Sequence, residues 1–406
     1  MPSPTAVSAS RIFMATGLVR RACARAFWPL FFIRLVTEVE LSPLQLVLLG
    51  TVMELSILSF EIPTGVVADL YSRKWSIVVS FLVMAVAYAL SGWASSYWLL
   101  IISQVLVGFG FTFESGAETA WITAELESPE AAEPLILRRA SWQLLSAFTG
   151  IVVFAALAHF TSLSIALTTI GVIYALWGAL LAWLMPETNF TPSSGDGWSG
   201  FIAMLRRGFT RSWSLAPLRI LLIVVFIGGL AKEAIDRLDV QRLVNVGMPE
   251  DLNEIQVIAA LTAAKMVFAA AALAIARRRA EGAAVVPAMA LLFFGIAGGV
   301  ALLAHMELLA LAGLGLVLQG GFALATEPLV TTWTNAFTAD ESRATVHSFI
   351  GQAEAFGEIL GGILLGVVAQ LTTVPTAMTM SALLFAAGGA LALSARSVWE
   401  SASLDA

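Results

Sequence analysis

Ionisable residues that interrupt long apolar runs are the positions in this sequence where chemistry could be done. Arg20, Arg21 and Arg25 open the series, and Glu54, Glu61, Glu114 and Glu118 continue it. The second half adds Lys232, Glu233, Asp236, Arg237, Lys265, Glu327, Glu354 and Glu358. Holding such a charge at the centre of an apolar layer costs on the order of 3 kcal/mol or more, so each must be paired or used. Lys232 with Asp236, and Glu233 with Arg237, stand four residues apart and can neutralise each other along one helical face. Arg21 and Arg25 share a face, with Glu54 at similar depth in the next apolar run. They could form a fixed ion pair or a switchable one. Glu114 and Glu118 repeat at four residues, as do Glu354 and Glu358, with no basic residue beside either pair in sequence. Carboxylates one turn apart oppose each other's ionisation, the condition a proton carrier needs near neutral pH. Glu54 or Glu114 is the expected titrating group; for Glu118, solvation at a helix end is an equally good reading.

Nucleophilic and metal chemistry find no comparable support. The single cysteine, Cys23, has no histidine near it, and His159, His305 and His347 are scattered. Neither an intrachain disulfide nor a metal site is expected, and no cofactor or enzymatic activity either. A Gly-x-x-x-x-Gly-Lys-Ser/Thr loop is missing from the sequence, so direct drive by ATP is not expected.

The elements that must position these charges follow from composition. Of the 406 residues, 59% are hydrophobic and 12% charged, about half the charge a soluble protein carries. Most of the surface must then face lipid. A membrane helix needs about 20 mostly apolar residues, and that rule yields about twelve spans. The first six read roughly 12–36, 44–68, 75–93, 97–124, 137–158 and 163–185. The second six read roughly 217–238, 253–276, 284–304, 307–334, 345–369 and 374–394. The first can cross only if it reaches back to Ile12, which puts Arg20, Arg21 and Arg25 near mid-membrane. The expectation is an all-α membrane protein of two six-helix bundles, 1–187 and 216–406, joined by a linker at 188–215. That linker holds turn residues from Thr191 to Gly197 and then an amphipathic surface helix from Trp198 to Trp213.

Basic residues set the orientation. Arg11, Arg73, Lys74, Arg138, Arg139, Arg206, Arg207, Arg211, Arg219, Arg277, Arg278, Arg279, Arg343 and Arg396 all fall on one side. The other side receives chiefly Arg34, Arg237 and Arg242, among acidic neighbours. Both termini are therefore expected in the cytoplasm, in an inner (plasma) membrane, and no cleavable signal peptide is expected. A short internal echo, Ala120-Trp-Ile-Thr-Ala124 with Arg139-Ala-Ser141 against Thr332-Trp-Thr-Asn-Ala336 with Arg343-Ala-Thr345, favours duplication of one half.

Between the second and third spans, Gly65-x-x-x-Asp69-x-x-x-Arg73-Lys74 resembles the signature loop of the major facilitator superfamily. Span count, orientation and central loop extend the resemblance along essentially the whole chain. It implies two pseudo-symmetric six-helix bundles and alternating access. By resemblance, Gly65, Asp69, Arg73 and Lys74 latch the two halves on the cytoplasmic side while the protein faces outward. Gly65 is expected to allow close helix approach, and Asp69 to accept charge-assisted hydrogen bonds. The sequence also departs from the family. Leu70 and Ser72 replace its usual Arg and Gly, and Gln104 stands where many relatives carry an arginine before Gly108-Phe-Gly110. The fifth span, Ser141 to Leu157, has Gly150 but no proline, unlike drug antiporters. The second-half copy of the loop is reduced to Ala276-Arg-Arg-Arg279.

These readings converge on a secondary active transporter of a small organic solute, working as a monomer in a lipid bilayer with protons as the candidate coupling ion. Nucleic acid is not an expected partner. Trp121, Trp142 and Trp333 suggest a mixed cavity suited to amphipathic molecules, hence efflux of drugs or metabolites. The first-span arginines suit instead an organic-anion or nutrient uptake carrier; a non-transporting sensor of the same fold is the remaining alternative. The residues expected to bind substrate or couple protons are Arg21, Arg25, Glu54, Glu61, Glu114, Glu118, Glu327 and Glu354.

Overall fold

The computed structural model describes residues 4–192, 203, 206, 208–210, 212–279, 282–338 and 340–402. Much of the surface helix expected over 198–213, with Arg207 and Arg211, lies outside the described residues, as do the side chains of Arg277, Arg278 and Arg279. The first half contains α1 (Pro4–Thr37), α2 (Pro43–Leu70), α3 (Arg73–Trp93), α4 (Tyr97–Glu114), α5 (Ala117–Glu125), α6 (Pro129–Phe160) and α7 (Leu163–Leu184). The second contains α8 (Ala216–Val246), α9 (Glu254–Arg279), α10 (Val285–His305), α11 (Leu309–Ala336), α12 (Asp340–Leu371) and α13 (Val374–Ala402).

Local signals explain several helix starts. Ser72, Ser128 and Ser162 cap α3, α6 and α7, each hydroxyl accepting from the amide three residues on, which satisfies one of the helix's orphan donors. Pro129 occupies the first position of α6, where its missing N–H costs nothing.

Among the described residues, ten of the spans, α4 and α5 counted together, are long and apolar enough to cross a membrane. α1 and α8 are not among them because of their charges. They have 34 and 31 residues, about 51 and 46 Å at 1.5 Å per residue, ample for a core of about 30 Å. The fourth span, expected over 97–124, runs over Tyr97–Glu125, with one local interruption of its helix. It breaks at Ser115 and Gly116, where Gly116 takes φ +76°, a left-handed conformation that costs a side-chain-bearing residue about 1–2 kcal/mol.

The chain divides into two compact units, residues 1–39 with 52–200, and residues 40–51 with 201–406. Within the first, α3 packs on α7 and α4, and α1 on α6. Within the second, α10 packs on α13 and α11, and α8 on α12. In order of spans these are the same pairings, so each unit repeats one helix arrangement.

Two arginines placed by sequence on the outer, acidic side prove to be buried structural caps. Arg34, near the end of α1, donates through Nη1 to the carbonyls of Ser91 (3.2 Å) and Ala94 (2.8 Å) at the end of α3. Arg242, near the end of α8, donates to the carbonyls of Leu303 (3.1 Å) and Met306 (3.0 Å) at the end of α10. Each guanidinium satisfies carbonyls that a helix end leaves without partners, and the two occupy equivalent places in their units.

Candidate functional site

In the first unit, four charged side chains meet around the α4–α5 break. Arg20 from α1 pairs with Glu114, the last residue of α4, and with Glu118 in the first turn of α5 (2.8 Å). Glu118 also receives Arg139 from α6 at 2.8 Å. Two arginines and two glutamates give no net charge, and Glu118 is 4% exposed. Close backbone packing makes this possible. Gly150 of α6 lies against the backbone of Ala22, where a Cβ would overlap it. Gly17 leaves room for the Arg139 side chain, whose guanidinium also sits 3.7 Å above the Phe13 ring, a favourable cation–π placement.

Two sequence expectations change here. The pair Glu114 and Glu118 has basic partners after all, supplied from distant α1 and α6. The two glutamates also do not stand one turn apart on a single helix, because the break separates them. Arg139, counted from sequence among cytoplasmic loop residues, is the missed member of the cluster. The echo of Arg139-Ala-Ser141 in the second half was its sequence signal. Arg21 and Arg25 in α1, and Glu54 and Glu61 in α2, are each half-buried; the arginine that the cluster uses is their neighbour Arg20.

In the second unit, Lys232 of α8 pairs with Glu358 at 2.8 Å and with Glu354 at 3.6 Å, both from α12. The glycine-rich stretch of α12 brings the helices together, since Gly357 lies against the Phe226 carbonyl and Gly361 against the Leu230 backbone. The sequence reading that Glu354 and Glu358 have no basic neighbour is therefore corrected. Lys232 was assigned to Asp236, but the side chains it pairs with come from the other helix. The other expected pair does form, Arg237 to Glu233 at 2.8 Å, deeply buried. This cluster is open on one side: the side chains of Lys232 and Glu354 are 41% and 46% exposed, whereas that of Glu358 is 10% exposed. Glu327 is exposed on α11. Among the described residues, no group of three or more His, Cys, Asp or Glu side chains is arranged to hold a metal ion.

The segment joining α2 to α3 and the start of the linker after α7 are held by residues the sequence singled out, Asp69, Arg73 and Trp121, and by two it did not, Glu125 and Glu187. Arg73 pairs with Asp69 at 3.7 Å and donates to the Ala120 carbonyl of α5 at 3.1 Å. Glu187, just past α7, accepts from the Ser72 hydroxyl (2.5 Å) and from the Lys74 amide (2.8 Å). Trp121 of α5 donates its indole N–H to the Pro186 carbonyl at 2.7 Å. Glu125 accepts from the Thr188 amide (2.7 Å), the Thr188 hydroxyl (2.8 Å) and the Asn189 amide (3.1 Å).

A family model for the Major Facilitator Superfamily matches residues 13–362. The chain belongs to this superfamily. Within it, the chain is 25% identical over 369 residues to an uncharacterized MFS-type transporter, YxaM, of Bacillus subtilis (strain 168), with 88% of each chain covered. Its fold is similar to that of the nucleoside transporter NupG (D323A mutant), with a TM-score of 0.77 at 11% identity over 96% of this chain and 99% of that one. It is similar also to a bacterial homologue of the human lysosomal transporter Spinster in an inward-facing, unoccupied conformation, with a TM-score of 0.75 at 14% identity over 99% of both chains.

As a major facilitator chain it carries the signature loop in an altered form. Asp69 finds Arg73 within its own segment, and a Cβ built on Gly65 meets no atom of the described residues within 4 Å. The close approach expected at Gly65 is therefore not formed in this structure. Ser72, where the family usually has glycine, is the N-cap of α3 and a ligand of Glu187. Gln104, in place of the arginine, is buried in α4 with its amide 3.3 Å from the Ser103 hydroxyl.

Proposed function

We propose that this chain is a proton-coupled secondary transporter of a small organic solute, working by alternating access in a plasma membrane with both termini in the cytoplasm. The observation that carries the coupling is the Lys232–Glu354–Glu358 cluster. One lysine serves two carboxylates there, and the cluster is open enough to exchange a proton with water. Glu354 is the coupling group we favour, ahead of Glu114, because Glu114 is paired with Arg20 in a cluster that already balances its charge and is less exposed than Glu354. Asp69, Arg73 and Lys74 serve as the latch between halves, with Gly65 closing against a neighbour in the latched state. Domain boundaries near 187 and 216 follow from the same reading. Transport is favoured over catalysis because the buried ionisable groups lie in spans and pair with one another.

The aromatic support for efflux is narrower than the sequence implies. Trp121 and Trp333 are 1% and 0% exposed, whereas Trp142 is 49% exposed. Direction is therefore to be read from flux. Purified protein is screened for thermal stabilisation by organic cations, anions and zwitterions. Any hit is then followed in proteoliposomes under an imposed pH gradient of either sign. Wild type should accumulate the solute against its gradient, and Glu354→Gln should exchange solute without responding to pH. A Glu354→Gln/Glu358→Gln variant that still accumulates solute in response to pH would refute the coupling. Chemical conversion of the hit without flux would refute transport itself.

A further inference from the structure

Helix α5 is nine residues long and is held at both ends by different machinery. At its start, Glu118 is gripped by Arg20 and Arg139, and the helix is cut from α4 by the left-handed Gly116. Among the described residues, no atom lies within 4 Å of a Cβ built at Gly116, so none of them packs directly against the break there. Toward its end, the Ala120 carbonyl holds Arg73, Trp121 holds Pro186, and Glu125 holds the amides of Thr188 and Asn189. The next link is Glu187, which holds the Ser72 hydroxyl and the Lys74 amide. From Glu118 to Glu125 is seven residues, about 10 Å of rigid helix. A short rigid rod hinged at a glycine and bonded at both ends cannot shift at one end without straining contacts at the other.

We propose that α5 is a lever that couples the buried Arg20–Glu114–Glu118–Arg139 cluster to the signature loop, with Glu125 and Glu187 as positioning residues for Arg73 and Lys74. Loosening the cluster lets α5 pivot at Gly116, and the carboxylates of Glu125 and Glu187 carry that motion to the start of α3. Three backbone amides that no helix ladder would satisfy, those of Lys74, Thr188 and Asn189, donate to these carboxylates. The lever depends on neither the solute nor the coupling ion, so its failure and the failure of the transport reading are separable.

Hydrogen exchange of the full-length protein in lipid nanodiscs tests it, because the amides that report are remote from the residue changed. Glu118→Gln should raise exchange at residues 72–76 and 186–190 by roughly tenfold or more, as local opening does, while residues 285–336 keep wild-type protection. Glu125→Ala, which removes both acceptor oxygens, sets the scale for complete loss of the clamp. The reverse direction uses the only cysteine, Cys23, which lies buried on α1 three residues from Arg20. Glu125→Ala and Glu187→Ala should each speed labelling of Cys23 by a membrane-permeant maleimide several-fold. Independent structural roles would move neither remote readout. Unchanged exchange at 72–76 and 186–190 in a folded Glu118→Gln protein overturns the lever. If that variant does not fold, wild-type labelling of Cys23 in both clamp variants overturns it equally.

Discussion

The two units solve the same problem, charge inside a membrane, in different ways. The N-terminal cluster joins two arginines to two glutamates from four helices, sums to zero and is largely shielded, its side chains 5–16% exposed. The C-terminal cluster joins one lysine to two glutamates from two helices, leaves one negative charge over and stands half-open. The first arrangement is rigid because removing any member strands a buried charge. The second tolerates a change of protonation, because water already shares the load. The helices at the two sites differ correspondingly. The fourth span of the first unit breaks at Gly116, whereas its counterpart α11 runs unbroken through Pro328. Against these differences, Arg34 and Arg242 cap equivalent helix ends in the same way, so the divergence is confined to the charged centres.

The comparison can be broken most directly at Arg139. Arg139→Met should cost about 3–5 kcal/mol, the penalty for an uncompensated buried charge, and appear as a collapse of thermal stability in detergent. The double variant Arg139→Met/Glu118→Gln should recover part of it. A single variant as stable as wild type would mean the N-terminal cluster is not shielded. Next in size are the caps. Arg34→Met and Arg242→Met should each lose about 1.5–3 kcal/mol, the value of charged hydrogen bonds. Melting temperatures lowered to similar extents would sharpen the equivalence of the units, and a change in only one would end it.

Lys232→Gln removes the partner of Glu358, which is 10% exposed, and should cost about 1–3 kcal/mol while abolishing any pH response of transport. A stability loss matching that of Arg139→Met would show that the two clusters are alike. Gly116→Ala is expected to cost about 1–2 kcal/mol from its left-handed backbone. Pro328→Ala in α11 should be neutral or stabilising, because proline lowers helix propensity. Chemical denaturation read by circular dichroism separates the two.

Much of this architecture is legible without coordinates, because lipid imposes a local rule. Backbone groups in a membrane must be satisfied within their own helix, so apolar run length alone locates the spans. The signature loop at Gly65–Lys74 is local too, and so is the pair Glu233–Arg237, set by helical spacing. What only the tertiary structure decided is which distant charges meet. Arg20 found Glu114 and Glu118, and Lys232 turned from Asp236 to Glu354 and Glu358. Helix packing brought in Arg139 from α6, and Glu125 and Glu187 came to hold the loop. An ion pair in an apolar layer forms wherever opposite charges come to equal depth on facing helices. Depth and facing are set by glycine contacts such as Gly150 on Ala22 and Gly361 on Leu230, not by distance along the chain.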